Sequence, residues 1–245
     1  MWHCERMPED YFGEAVAARY DEEPMGDPGP VVDFLAPMAG DGAALELGIG
    51  TGRIALPLAA RGVPVRGIDL SEAMVGRLRA KPGGSDIGVA IGDFASTRVD
   101  GSFTLAYLVF NTINNLTTQD AQVACFENVA GHLAPGGRFV AEVGVPQLRS
   151  LPPGAVGRPF TISADRLGFD TYDVATQGLV SHHYWRADDG RFESSSIPFR
   201  YVWPAELDLM ARIAGMRLRE RWAGWERAPF TSESGSHVSV WQKTT

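Results

Sequence analysis

The sequence predicts an α/β fold: a doubly wound, mostly parallel seven-stranded sheet with an N-terminal helical lid and an antiparallel β insertion after strand five. Three observations predict it. Between residues 40 and 145 short apolar runs alternate with helix-length stretches, as a parallel sheet requires when each crossover is a helix. The first run feeds a glycine-rich turn, Gly48-Ile49-Gly50-Thr51-Gly52. After Pro146 helical periodicity stops and strand-like alternation replaces it.

Residues 8–39 read as one or two helices broken by Pro24-Met25-Gly26-Asp27-Pro28-Gly29-Pro30, a run that cannot continue a helix; residues 1–39 are assigned as a lid. Strand one carries Leu45-Glu46-Leu47 into the turn. A helix over 54–60, ended by Gly62, and a second strand over 63–68 closing on Asp69 complete a β-α-β unit. Ser71 caps the next helix, with Glu72 in its first turn. Strand three, 87–91, runs into Gly92-Asp93-Phe94, and strand four, 103–110, into Asn111-Thr112-Ile113-Asn114-Asn115-Leu116. A helix over 119–133 is stopped by Ala134-Pro135-Gly136-Gly137, and strand five follows over 138–143. Past the linker Leu151-Pro152-Pro153-Gly154, strands over 169–175, 179–186 and 194–202 form a meander, its last two joined by a tight turn at Asp188-Asp189-Gly190. Pro204 opens a helix to residue 214, Gly215 ends it, and 216–222 with 236–241 make a closing hairpin. The domains are then 1–39 (lid), 40–146 with 204–245 (the doubly wound unit) and 147–203 (the inserted antiparallel unit).

Glycines at 48, 50 and 52 remove the side chains that would hold a nucleoside away from the peptide groups. A dinucleotide fingerprint is G-x-G-x-x-G, whereas the third glycine here arrives one residue early, behind the acidic Glu46. Asp69 lies about twenty residues on, where a strand-end acid accepts hydrogen bonds from ribose hydroxyls. Asp93 beside Phe94 suits an adenine, one bonding its amine and the other covering its face.

The segments ELGIGTG at 46–52, GIDLS at 67–71, GDF at 92–94 and LAPGG at 133–137 resemble the class I S-adenosylmethionine-dependent methyltransferases, well over roughly residues 40–145 and in outline elsewhere. The resemblance implies a Rossmann-like fold and S-adenosylmethionine as cofactor. It puts the methionine part over Gly48, Gly50 and Gly52, the ribose on Asp69 and the adenine on Asp93, with Tyr11, Arg19 or Tyr20 for the methionyl carboxylate. The candidate cofactor set is Tyr20, Glu46, Gly48, Gly50, Thr51, Gly52, Arg53, Asp69, Leu70, Met74, Asp93, Phe94 and Val109. Insertions at this place resemble those of amino-sugar N-methyltransferases and glycine N-methyltransferase, where they help wall the substrate site. Two departures stand out. The Asn/Asp-Pro-Pro-aromatic motif of nucleic-acid amide methylation is missing, and Thr104 follows Phe103 where an aspartate is usual.

The reaction so implied moves a methyl group to a nitrogen or oxygen of a small molecule by in-line displacement, which alignment largely supplies. A hydroxyl acceptor would gain from a base. Candidates for a catalytic part are Asn111 at the end of strand four, Glu142 near the end of strand five, and His183 in the insertion. Alternation there sends His182 and Tyr184 to one face and His183 and Trp185 to the other, and only one face can meet a ligand. His132 reads as a helix-end residue. A nicotinamide-dependent oxidoreductase and a non-catalytic S-adenosylmethionine-binding module remain as alternatives.

With 22 basic against 30 acidic residues the net charge is −8, which argues against a nucleic-acid partner. Cys4 and Cys125 are too few for a disulfide framework and too distant for a metal site, so no metal is expected. The polar start and the lack of an eighteen-residue apolar run point to a cytoplasmic protein with no membrane partner, and a homodimer stays open.

Overall fold

A computed structural model describes residues 9–22, 26–187 and 189–244, so that Cys4 lies outside the described residues. The central sheet is built from β1 (Ala44–Leu47), β2 (Val65–Asp69), β3 (Gly88–Ile91), β4 (Phe103–Leu108), β5 (Leu133–Gly144), β10 (Met216–Trp222) and β11 (Ser236–Lys243), in the order β10-β11-β5-β4-β1-β2-β3. β1 to β5 pair in parallel, and β11 runs antiparallel between β5 and β10. From β1 the chain first builds outward through β2 and β3 and then restarts on the other side with β4. The direction reverses between β1 and β4, which opens a crevice at their carboxyl ends.

Every residue of β1 is buried because helices cover both faces. On one face α5 (Gln119–His132) and α6 (Pro204–Ile213) pack on Leu45, Leu47, Ile68, Ala106, Leu108 and Phe139. On the other, α2 (Gly29–Ala39) and α3 (Ala55–Ala60) pack on Ala44, Leu105, Tyr107 and Val140. Successive residues of β4 thus serve opposite layers, as strand geometry dictates. Phe126, Phe139 and Trp241 meet with centroids 5.1 to 5.8 Å apart at the centre of the first layer. No helix among the described residues is long and apolar enough to cross a membrane.

Two boundaries depart from the sequence reading. α2 starts inside the proline-rich run expected to break a helix: Pro30 falls in its first turn, where a proline has no useful donor to lose, and the Asp27 carboxylate accepts the Gly29 N–H at 2.9 Å. Its buried Val31, Phe34 and Leu35 make α2 a layer of the sheet, leaving the short α1 (Glu14–Ala17) and a 3-10 turn, Tyr20–Glu22, ahead of it. β5 begins at Leu133, five residues before the expected start at residue 138, with an irregular pairing between Phe103 and Leu105 absorbing the Pro-Gly-Gly segment. Thr104, in the place of the usual aspartate, donates its hydroxyl to the Ala39 carbonyl at 2.7 Å and fastens the start of β4 to the end of α2.

The insertion is a four-stranded antiparallel sheet of β6 (Gly157–Ile162), β7 (Arg166–Asp173), β8 (Gly178–Arg186) and β9 (Phe192–Arg200). β6 was not expected, since Gly157 and Pro159 hide its alternation; as an edge strand it tolerates the proline. Around the expected tight turn, the Ala187 N–H bonds the Arg191 carbonyl and Gly190 takes φ +83°, while Asp188 lies outside the described residues.

A buried polar network moors this sheet to the helices. Arg200, closing β9, donates to Glu206 of α6 at 2.7 Å, to Gln177 at 3.1 Å and to Gln122 of α5. Burial alone would raise the Glu206 pKa, but hydrogen bonds from Gln177, Arg200 and Gln119 and the charge of Arg200 hold it below its ordinary value. Inside the central sheet the Tyr107 hydroxyl donates to Glu46 Oε2 at 2.9 Å, and burial drives the Glu46 pKa up to about 8.

Two outcomes follow. Arg200→Met should destabilise the fold by about 3 kcal/mol because it strips a mostly buried carboxylate of its cation, and adding Glu206→Leu should recover most of that, both read by urea unfolding. For Glu46 the folded pKa exceeds the unfolded value of 4.5, so its contribution is complete below 4.5 and is lost as pH rises through about 8. The slope is at most about 1.4 kcal/mol per pH unit. Glu46→Gln should flatten stability across that window; an unaltered slope would show that Glu46 is not its source.

Candidate functional site

The first turn leaves β1 with Gly48 and Gly50 both in the left-handed region, φ +68° and +54°. A Cβ on Gly48 would come within 2.6 Å of the Thr112 methyl, and one on Gly50 would project toward Met74 at the wall of a cavity. Gly52 serves differently: its Cβ would collide with Leu78 at 2.3 Å, so it lets the turn pack on the next helix and does not line the cavity.

Asp69 ends β2 directly beside this turn. One oxygen accepts the Gly50 N–H at 2.6 Å and the other the Ser71 N–H at 2.9 Å. Burial raises its pKa, against the opposing hydrogen bonds from Ser71 and Gly50. Each carboxylate oxygen keeps a second lone pair for a hydroxyl of a bound ligand. Ser71 accepts the Met74 N–H and so starts α4 (Glu72–Arg79), which sets Leu70 and Met74 on the same wall. Past β3, Asp93 accepts the Ala95 N–H at 2.8 Å and reaches the cavity with Phe94, whose ring is otherwise buried in the core.

The cavity, of about 260 Å³, lies over the carboxyl ends of β1 and β2. Residues 9–12 and Tyr20 close one side; Thr112, Asn115, Leu116 and Thr117 close another; Pro198 of β9 contributes from the inserted sheet. Glu9, Asp10, Asp69 and Asp93 line it, and among the described residues of the lining there is no lysine, arginine or histidine. Bare peptide in a tight turn, a strand-end carboxylate with spare lone pairs and an acidic wall suit a nucleoside that carries positive charge, so these residues fit S-adenosylmethionine.

Not every member of the expected set reaches the wall. Glu46 lies beneath the turn, bonded to Tyr107 and to the Ala55 N–H. Thr51 donates its hydroxyl to Asp21 at 2.6 Å, the Arg53 guanidinium sits 5.8 Å from the centre of the Phe110 ring, and Val109 is buried in the core. Arg19 is absent from the lining, whereas Tyr11 and Tyr20 belong to it.

The three catalytic candidates are engaged elsewhere. After β4, Phe110 and Asn111 both adopt left-handed backbone, φ 56° and 61°, which is unfavourable for phenylalanine and tolerated by asparagine. Glu142 holds the pair, one oxygen accepting the Phe110 N–H at 2.8 Å and the other the Trp225 indole N–H at 3.0 Å, while Asn111 Oδ1 accepts the Gly144 N–H. Their polar atoms thus fix backbone, and the Phe110 ring is left 53% exposed at the sheet edge. In the insertion Pro198 pairs with Val180, so His182 and Tyr184 share its face and His183 takes the opposite one, beside Ser181 and Phe160. His182 is fixed between Thr171 at 3.1 Å and Ser196 at 2.9 Å and stacks on Phe169 at 4.8 Å.

The residues missed by sequence reasoning are Glu9, Asp10, Phe12, Ser71, Thr112, Asn115, Leu116, Thr117 and Pro198. Position just past a parallel strand was a signal for the threonines and Asn115; Pro198 had none, because only the folded insertion brings it near.

Comparison with known proteins agrees with this geometry. A family model described as a methyltransferase domain matches residues 44–137, from β1 into β5. The Cypemycin N-terminal methyltransferase of a Streptomyces species is 27% identical over 91% of this chain and 97% of its own length. Among solved structures, the CcbJ methyltransferase from Streptomyces caelestis is 34% identical, with a TM-score of 0.85 over 96% of this chain and 98% of that one. S-adenosylmethionine-bound CalS10, an amino pentose methyltransferase from Micromonospora echinaspora, shares the fold at 23% identity and a TM-score of 0.70 over 99% of this chain and 100% of that one. With the CcbJ methyltransferase 34% identical along nearly the whole length of both chains, the chain belongs to the class I S-adenosylmethionine-dependent methyltransferases and is an enzyme of that family.

Proposed function

We propose that this methyltransferase acts on an amine nitrogen of a small molecule. The observation that carries the reading is the acidic lining of the cavity, with four carboxylates and no basic side chain among its described residues. Such a wall favours a cationic cofactor and a cationic acceptor and offers no imidazole to take a proton from a hydroxyl. Two of the relatives described above are named for methylation of an N-terminus and of an amino pentose, which supports nitrogen. The net charge of −8 supports a small molecule over a nucleic acid.

S-adenosylmethionine supplies a methyl group on a positive sulfur, open to in-line displacement by a lone pair. In the proposal Asp69 holds the ribose with the lone pairs left after Gly50 and Ser71, Asp93 and Phe94 take the adenine, and Gly48 and Gly50 let the methionine part approach bare backbone. Tyr11, Phe12 and Tyr20 cover the cofactor and exclude water. Thr112, Asn115 and Pro198 meet the acceptor, making residues 147–203 the substrate-side unit. Glu9 and Asp10 draw in the acceptor's ammonium, whose proton passes to solvent before the lone pair attacks. Alignment at about 3 to 3.5 Å then supplies most of the rate.

Asp69→Ala should weaken binding of S-adenosylhomocysteine by about 1 to 3 kcal/mol, measured by titration calorimetry, for the loss of paired hydrogen bonds; unchanged affinity would remove the ribose assignment. Labelled-methyl transfer tested over matched panels of primary amines and phenols should label the amines. Label confined to phenols would overturn the nitrogen reading.

A further inference from the structure

Asp21, in the 3-10 turn ahead of α2, receives the Thr51 hydroxyl on one carboxylate oxygen at 2.6 Å and Lys81 Nζ on the other at 2.8 Å. Lys81 also donates to the Thr51 carbonyl at 2.8 Å. Three stretches of chain about thirty residues apart are joined at one point: the N-terminal segment, the glycine turn, and the residues that follow α4. Burial alone would raise the Asp21 pKa, but hydrogen bonds from Lys81 and Thr51 and the charges of Lys81 and Arg77 lower it, so the clasp is ionic at neutral pH. Thr51, expected at the cofactor, spends its hydroxyl here.

The clasp acts on the cavity through its neighbours. Tyr20, adjacent to Asp21, is on the cavity wall. At the other end of the same segment the Ser71 hydroxyl donates to the Phe12 carbonyl at 2.9 Å, and the Phe12 ring meets Tyr20 edge-on at 6.3 Å. Residues 9–22 therefore border the cavity and are tied by hydrogen bonds at these two points, to the glycine turn and to the cap of α4, against which α1 also packs.

We propose that Asp21 and Lys81 are positioning residues that latch this segment over the bound cofactor through Thr51 and set how fast cofactor and demethylated product leave. The inference rests on the cofactor lying in the cavity described above. Contacts made only in the closed state slow departure more than arrival, because entry takes place with the segment open. The pair is partly exposed, so its Coulombic part is modest and the shared hydrogen bonds carry most of the effect.

Surface plasmon resonance with S-adenosylhomocysteine on the full chain tests it. Asp21→Ala and Lys81→Met should each raise the dissociation rate about five- to tenfold with the association rate held within about twofold, and Lys81→Arg should restore near wild-type dissociation. Hydrogen exchange on the complexes should rise over residues 9–22 and stay unchanged in Gln119–His132, which also verifies that each variant is folded; should Asp21→Ala unfold, Lys81→Met carries the test. Dissociation within about twofold of wild type in the folded variants would overturn the latch. A wild-type chain that does not bind S-adenosylhomocysteine, or whose affinity survives Asp69→Ala, would instead overturn the cofactor assignment.

Discussion

The carboxylate of Asp69 is the joint on which the site depends. Two neighbouring strand ends, β1 and β2, must be held in register where the chain turns away from each. In the first turn glycine lowers the strain of positive φ but leaves the backbone with little of its own to fix it. Asp69 does the fixing: by accepting the Gly50 and Ser71 N–H groups it ties the glycine turn to the start of α4 through a single side chain. Charge-assisted hydrogen bonds of this kind are about twice as strong as neutral ones, and here they offset part of the desolvation of a buried carboxylate, whose pKa burial still raises.

Glu46 shows the same balance carried further, inside the sheet. It has a tyrosine hydroxyl and one backbone N–H, with the Arg53 charge in its favour, yet complete burial and the nearby Asp69 charge prevail. The two acids of the motif region are thus divided by environment. Asp69 stands at the cavity, where water or a ligand can share its solvation, whereas Glu46 sits in the sheet and works best as a neutral hydrogen-bonding bridge between β1, β4 and the start of α3.

Much of the fold was legible because period and punctuation carried it. The alternation of apolar runs with helices gave the strand sequence, Ser71 and Gly215 gave helix ends, and the two-residue period gave β7 to β9. The misses share one cause, that proline and glycine have different meanings in different tertiary settings. Pro30 reads as a breaker yet sits in the first turn of α2, and Pro159 reads as loop yet lies on an edge strand. In the site, Gly48, Gly50 and Asp69 were visible because local backbone geometry demands them. Pro198, Glu9 and Asp10 were not, since their approach depends on how the insertion and the N-terminal segment are moored, and that is decided by Arg200, Asp21 and their partners.

The end of β4 shows why a polar residue at a strand's carboxyl edge is ambiguous from sequence. Asn111 and Glu142 stand where catalytic groups are sought, and each turns a side-chain oxygen on a backbone N–H group. The strain they hold is of order 1 to 3 kcal/mol at the left-handed Phe110, so such a turn survives only where the surroundings over-determine it. Four contacts do so here: the Phe110 N–H and the Trp225 indole on the Glu142 carboxylate, the Asn111 N–H on the Glu142 carbonyl, and the Gly144 N–H on Asn111. What the expenditure achieves is visible in Phe110 itself, a large apolar ring turned outward at the sheet edge under the Arg53 guanidinium, three residues ahead of Ile113 and two ahead of the cavity residue Thr112. The polar pair thereby fixes the backbone that leads from β4 to the cavity residue Thr112.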